Sequence, residues 1–414
     1  MIISKTPYRI SFFGGGSDYP NWYNNYSGSV LSTTIDKHIY ITCRHLPNFF
    51  NHKFRIIWSK LESVKKINQI KHNAVRNLLK ELNIKKGLEI HYDGDLPARS
   101  GMGSSSCFVV GLSNVLFNFL NIKKNKKQLY KFAINFEHKI LKEVVGSQDQ
   151  VAVVNGGFNR INFFKNKIQI KKINNKKNLS KLNKNLMLVY SGIQRNAPDI
   201  AKKYINTLTS KNKKSIYKLI EQVELGEKII KKGSIDDFGY LLDEAWQYKR
   251  EMSGNISNFK IDEIYREAKK CGALGGKLLG AGGGGFMLFY IKENKKKNFL
   301  KKNIGKHIDN VISVSGLYDL RPLLMTKLND ILTLNYEEAV HESCFLYDPI
   351  DTKLTCWVGA NERPEFLRQN RILTEAWSKK SKNIESYYDP GKDHFSVIDQ
   401  LEDKESLLTQ SITK

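Results

Sequence analysis

Apolar and β-branched residues alternate with polar ones over residues 2–13, 37–46 and 53–58, which predicts strands there. Residues 62–84 read as helical, and a strand from Gly87 to Asp93 leads into a glycine- and serine-rich stretch. Helices are predicted over 104–120 and 127–143. Val151 to Phe164, with Asn155-Gly156-Gly157 in its middle, reads as a hairpin. Residues 165–185 are rich in lysine and asparagine and lack an acid; they read as an edge strand plus a linker, with a domain boundary nearby. A strand at Leu186–Tyr190 opens the second half. Mostly helical segments then run to Cys271, followed by a Gly282–Gly285 loop and a buried strand, Phe286–Ile291.

Chemistry concentrates in Leu96-Pro97-Ala98-Arg99-Ser100-Gly101-Met102-Gly103-Ser104-Ser105-Ser106, just before an apolar helical run. Glycines let the backbone turn sharply enough to aim several N–H groups at one anion, and the following helix presents its positive end at the same point. Serine hydroxyls add donors for phosphate oxygens and ligands for magnesium. No lysine follows the glycines, so this is not the Gly-Lys-Ser/Thr phosphate loop. Standing alone, such a turn is also an ordinary helix cap.

Two further segments share this character. Thr6-Pro7-Tyr8-Arg9-Ile10-Ser11-Phe12-Phe13-Gly14-Gly15-Gly16-Ser17-Asp18 runs from a strand into a glycine turn and an acid, and Lys277-Leu278-Leu279-Gly280-Ala281-Gly282-Gly283-Gly284-Gly285 feeds a buried strand. Taken in order, the three resemble the signature motifs of the GHMP small-molecule kinases over residues 1–302. The Phe-Gly-Gly-Gly-Ser-Asp form and the run Gly28 to Lys37 are similar to the D-glycero-D-manno-heptose 7-phosphate kinase branch. The resemblance implies an α+β fold. A ribosomal S5 domain 2-like ATP-binding domain would occupy 1–175, and an α/β ferredoxin-like domain, lacking its last strand, 176–302.

The same resemblance implies ATP and magnesium as cofactors and a small sugar phosphate as acceptor, with heptose 7-phosphate phosphorylated at its anomeric hydroxyl. Another sugar such as fucose, or a non-catalytic fusion product, is the alternative. Pro97, Gly101, Met102, Gly103, Ser104, Ser105 and Ser106 would hold the nucleotide. Ser104 or Ser105 would reach the ion or a phosphate oxygen; Ser105 is taken as metal ligand together with Glu137, which stands where the family places its magnesium-binding glutamate. Asp149 matches the family's general base, and Arg9 matches the cation beside it, with Lys5 as an alternative. Gly15, Gly16 and Asp18 are expected at the sugar, where paired carboxylate acceptors suit vicinal hydroxyls. Gly283, within the third motif, is expected at the floor of the substrate site, and Arg195 at a phosphate already on the sugar.

Beyond residue 302 the text changes. Val311 to Leu323 reads as a buried strand with a turn, and together with Val358 to Gln369 and Asp393 to Ile398 it resembles the C-terminal part of arylformamidase-type α/β-hydrolases over 303–414. Glu362 and His394 occupy the acid and base positions of that family's triad. No Gly-x-Ser-x-Gly exists in the chain to supply a nucleophile, so the tail is expected to be catalytically silent. Val311–Ser315 could instead complete the kinase's second sheet, whose edge is otherwise open.

Composition narrows the rest. At 414 residues with 41% hydrophobic content, the chain can form two or three domains with cores. Five cysteines without paired spacing read as reduced thiols, and neither a signal peptide nor a membrane-length apolar run is evident, so a cytoplasmic location is expected. The net charge of +26 comes from lysine clusters between apolar segments, without an aromatic stacking platform. Nucleic-acid binding is therefore not expected, although a basic surface attracts anionic substrates.

Overall fold

The computed structural model describes residues 1–193, 205, 207–296, 299, 310–349, 352–381 and 383–413. Two compact units divide the chain, Met1–Lys295 and Lys296–Lys414.

The first unit is organised around an 18-residue strand, β2 (Gly28–His45), longer than the 37–46 segment read from the sequence. It pairs antiparallel along β1 (Ile2–Phe13), with β6 (Phe158–Phe164) over its first half and with β5 (Leu88–Gly94) over its second. Beyond β5 lie β3 (Phe54–Ile57) and β4 (Leu61–Val64), and beyond β6 lies β7 (Lys167–Lys172), giving seven strands. Helix α1 is a single turn at Pro20–Tyr23. Against the sheet lies α3 (Ser104–Phe119), an almost wholly buried helix that follows α2 (Asn73–Glu81) and precedes α4 (Lys126–Asn135).

Four sequence expectations give way here. The 62–84 helix shrinks to Asn73–Glu81 because Leu61–Val64 pairs with β3. The buried Glu62 carboxylate also accepts from Trp58 Nε1 and from the backbone N–H groups of Lys71 and His72, tying down the approach to α2. The helix predicted over 127–143 stops at Asn135, passes into a π-turn at Phe136–Ile140, and leaves 142–146 as loop. The Val151–Phe164 hairpin is instead helix α5 (Gln148–Asn155) followed by β6. Val151 and Ala152 pack into a core with Val30, Ile161 and Phe163, so burial favours the helix. Gly156 and Gly157, at φ 70° and 75°, then stop it. An Asn-Gly-Gly that suits a hairpin turn suits a helix C-terminus equally well. The hairpin lies one strand later, between β6 and β7. Residues expected to be linker form α6 (Lys176–Asn185).

A second sheet, in the order β8 (Leu186–Tyr190), β10 (Phe286–Ile291), β9 (Ala273–Leu278), is antiparallel and three-stranded among the described residues. Helices α7 (Lys213–Lys232), α8 (Ile235–Glu251) and α9 (Phe259–Lys270) complete the unit. Gly239 of α8 lies so close to Leu274 and Tyr290 that a Cβ there would fall 2.9 Å from both side chains. This close approach sets the start of α8 beside the start of β9.

In the second unit, β11 (Asn310–Val314), β12 (Lys353–Gly359) and β13 (Ile384–Asp389) form a parallel sheet, with helix α10 (Pro364–Ser378) connecting the last two. The strand expected at Val311–Ser315 thus belongs to the tail's own sheet and does not complete the kinase's.

Glu227 of α7 is 5% exposed and meets Arg160 of β6 at 3.0 Å, Lys171 of β7 at 2.7 Å and Lys231 at 2.7 Å. Burial pushes its carboxyl up, but the three cations outweigh that and hold it at about 2, below the ordinary 4.5. Its stabilisation is therefore complete above pH 4.5 and disappears as pH falls toward 2. Glu227→Gln should cost about 2 kcal/mol at pH 7 in urea unfolding, a figure reduced because both lysines are half-exposed. The deficit should shrink below pH 4; a constant deficit across that range contradicts the assignment.

Candidate active site

The cleft of the first unit has a volume of about 350 Å³ and is lined by all three glycine-bearing segments. Two register shifts in β1, at Pro7/Arg9 and Ser11/Phe13, free Arg9 from regular alternation, as a bulge does when it re-aims a side chain. The Arg9 backbone N–H donates to Met102 O at 3.3 Å and its Nη1 to Gly101 O at 2.8 Å, so the first motif is fastened to the second at two points. The remaining face of the guanidinium grips Asp149 in a fork, Nε to Oδ1 and Nη2 to Oδ2, both 2.7 Å. Arg9 is 5% exposed, whereas the Asp149 side chain keeps 19% of its surface open to the cleft. Asp149 lies in the first turn of α5. Arg9 and Asp149 are thus brought together, while Lys5 is not among the residues lining the cleft.

The serine-rich turn carries left-handed backbone at Arg99, Gly101 and Gly103, with φ of 60°, 81° and 76°. Gly103 is the N-cap of α3 and offers no side-chain acceptor, which leaves the first-turn N–H groups of Ser104–Ser106 facing the cleft. Gly101, Gly103, Ser104, Ser105 and Ser106 line it; Met102 is fully buried behind, and Pro97 is exposed outside. Gly280 of the third motif backs the turn, since a Cβ on either Gly101 or Gly280 would come within 2.7 Å of the other loop's backbone.

Ser105 and Glu137 do not meet. Glu137 is completely buried in the π-turn, where Ser106 Oγ donates to both of its oxygens at 3.0 Å and Gln150 Nε2 donates as well. Burial raises its carboxyl to about 8 against those donors, and the charges of Glu143 and Asp149 add to the rise. Ser105 Oγ instead faces Glu143 Oε2 at 3.5 Å on the cleft wall. Burial raises the Glu143 carboxyl too. Among the described residues no cluster of three His, Cys, Asp or Glu side chains is arranged to hold a metal by itself. Carboxylates that repel one another beside a cleft-facing hydroxyl nonetheless suit magnesium, which takes one or two carboxylates and completes its shell with phosphate and water.

Gly15, Gly16 and Asp18 all line the cleft. Asp18 is 1% exposed and accepts backbone N–H bonds from Gly16 (3.0 Å) and Gln148 (3.3 Å). Burial, reinforced by Asp149, raises its carboxyl to about 6. Each oxygen retains a lone pair for a further donor. Gly283 is not a cleft residue: its N–H donates to Ile256 O at 2.8 Å and its carbonyl accepts from Asn258, so it shapes the wall from behind. Arg195 lies outside the described residues.

Glu143, Lys249 and Lys277 line the cleft and were missed from sequence. Lys277 stands inside the third motif and was legible there; Lys249, one lysine among many on an amphipathic helix, carried no local signal.

In the second unit, Glu362 Oε2 meets His394 Nδ1 at 2.8 Å, as the triad resemblance expects. The other carboxylate oxygen accepts from Gly359 N–H at 2.9 Å and Ser315 Oγ at 2.5 Å. Ser315 is the hydroxyl bonded to this dyad among the described residues, and it is bonded to the acid, not to the imidazole.

Comparison with known proteins agrees with this geometry. Residues 68–157 match the family described as GHMP kinases N terminal domain, and residues 227–310 match GHMP kinases C terminal. The D-glycero-alpha-D-manno-heptose 7-phosphate kinase of Campylobacter jejuni is 30% identical over 316 residues, covering 72% of this chain and 92% of the relative. The chain belongs to the GHMP kinase family. Its chemistry is accordingly phosphoryl transfer. In fold it is similar to a D-glycero-D-manno-heptose 1-phosphate kinase structure from Bacteriodes thetaiotaomicron, with a TM-score of 0.59, 21% identity, and coverage of 73% of this chain and 92% of that one. The hydrolase-like tail is also supported: kynurenine formamidase of Danio rerio is 31% identical over 119 residues, which span 40% of that relative's length. Among the described residues no helix is long and apolar enough to cross a membrane.

A side chain at Gly101 would have to adopt φ 81° with its Cβ 2.7 Å from the Leu279 carbonyl oxygen. Gly101→Ala should therefore weaken nucleotide binding at least tenfold, the left-handed backbone alone costing about 1–2 kcal/mol. Calorimetry with an ATP analogue checks this, with circular dichroism as the folding control; unchanged affinity contradicts the cradle.

Proposed function

We propose that this kinase transfers the γ-phosphoryl group of ATP to the anomeric hydroxyl of D-glycero-D-manno-heptose 7-phosphate, giving the 1,7-bisphosphate and ADP. The observation that carries the mechanism is the Arg9–Asp149 fork, which aims one carboxylate into a cleft beside open helix N–H groups. The similarity to a heptose 7-phosphate kinase along nearly its whole length supports the choice of sugar.

Asp149 accepts the proton of the attacking hydroxyl as the sugar oxygen–phosphorus bond forms and the bond to ADP breaks. Arg9 orients the base and offsets negative charge on the transferring group. The N–H groups of Ser104–Ser106, with their hydroxyls, hold the phosphate chain, and Asp18 accepts from sugar hydroxyls. Ser105 and Glu143 offer the cleft-facing oxygens for magnesium, with Glu137 holding Ser106 behind them; the ion, when bound, neutralises phosphate charge. Arg195 is assigned to the phosphate on the sugar from the sequence alone. The tail is read as silent, because among the described residues no hydroxyl is bonded to its histidine and the chain has no Gly-x-Ser-x-Gly.

A panel of heptose 7-phosphate, fucose, galactose and mevalonate, assayed for ADP release, should show turnover with the heptose phosphate. Turnover with another sugar only would overturn the substrate. Asp149→Asn should lower kcat on the order of a hundredfold or more while nucleotide affinity stays nearly unchanged. Release of formate from N-formylkynurenine by the purified chain would contradict the reading of the tail.

A further inference from the structure

Two lysines enter the cleft without a carboxylate to meet them. Lys277, at the end of β9, is 5% exposed and donates from Nζ to Phe12 O at 2.5 Å, just before the Gly14–Gly16 turn. Lys249, in the last turn of α8, donates to Leu278 O at 2.8 Å and Gly280 O at 2.5 Å. Neither forms an ion pair among the described residues, and Asp149, which also lines the cleft, is held by Arg9. An ammonium has three N–H donors, so Lys277 keeps two and Lys249 one after their carbonyl bonds.

The carbonyls that hold these lysines also locate them. Gly280 is packed against Gly101 of the phosphate-binding turn, and Phe12 lies three residues along β1 from Arg9. Burial and then mutual repulsion act on both: Lys277 is lowered to about 7 by burial and by Arg9, and Lys249 is lowered by burial, Lys277 and Arg9. Three cations thus line the cleft, and of these only Arg9 pairs with a carboxylate among the described residues. Burying uncompensated charge is costly, and an anion beside the lysines removes the cost.

We propose that Lys249 and Lys277 bind the nonbridging oxygens of the γ-phosphoryl group, forming with Arg9 the side of the transfer site that adjoins the Gly101–Gly280 contact. The inference rests on the phosphoryl-transfer reading but not on the identity of the sugar. It separates two jobs in the cleft: backbone N–H groups hold the part of the nucleotide that ADP retains, and side-chain cations hold the part that moves.

The test compares binding of magnesium-ADP and of magnesium with a nonhydrolysable imido analogue of ATP, by calorimetry on the full chain. Lys277→Met should lose at least tenfold in affinity for the triphosphate analogue and change less than threefold for ADP. Lys249→Gln, at the partly open position, should do the same and provides the test if the buried Met variant fails to fold. Equal losses for both nucleotides, or a lowered melting temperature with both affinities intact, would make the lysines carbonyl clamps and overturn the proposal. Unchanged analogue affinity with a raised KM for the sugar phosphate would place the acceptor's own phosphate there and overturn it as well. A wild-type chain that binds neither nucleotide would refute the kinase reading itself, a result distinct from all of these.

Discussion

One guanidinium holds the catalytic half of this protein in register. Arg9 reaches three places at once: Asp149 through its fork, Gly101 O through its third nitrogen, and Met102 O through its backbone. The bulge at Pro7/Arg9 makes this possible by releasing that stretch from strict pairing with β2. Bidentate pairing fixes the angle as well as the distance of the carboxylate, which a lysine in the same place would not do. The serine-rich turn, Asp149 and β1 are therefore tied together through one side chain and its backbone.

Charge in the cleft is arranged by side. Along the Ser105 wall lie Glu143 and the open helix N-terminus, with Glu137 buried behind; burial raises both carboxyls, and Glu143 adds to the rise at Glu137. Toward the Gly280 loop lie Arg9, Lys249 and Lys277, where burial lowers both ammonium groups, with Arg9 adding at Lys277 and both Lys277 and Arg9 adding at Lys249. That division matches the magnesium–triphosphate complex proposed above, cation toward the acids and phosphate toward the lysines.

Much of this was legible in the chain because glycine-rich turns cannot hide. The three motifs and the strands leading into the first two follow from residue types that have few alternative uses, whereas the Arg9–Asp149 partnership came from the family resemblance and the strand before the third motif, β9, went unread. What was not legible depended on competition between equals. Asn155-Gly156-Gly157 can end a helix or turn a hairpin, and the burial of Val151 and Ala152 decides for the helix. Glu62 looked like a helical surface acid until three donors gathered on it. Glu137 and Glu143 are six residues apart, and which faces the cleft is decided by a π-turn that no periodicity announces. Lys249 is indistinguishable from the chain's other lysines until α8 is laid on β9.

If Arg9 and Asp149 act as a single device, their effects on chemistry cannot add. Single-turnover phosphoryl transfer measured for Arg9→Met, Asp149→Asn and the double variant decides this directly. The account predicts that the double variant is no slower than the slower single one, within about a factor of three, because either change already disables the pair. Multiplicative losses would show two independent contributors and contradict the central claim.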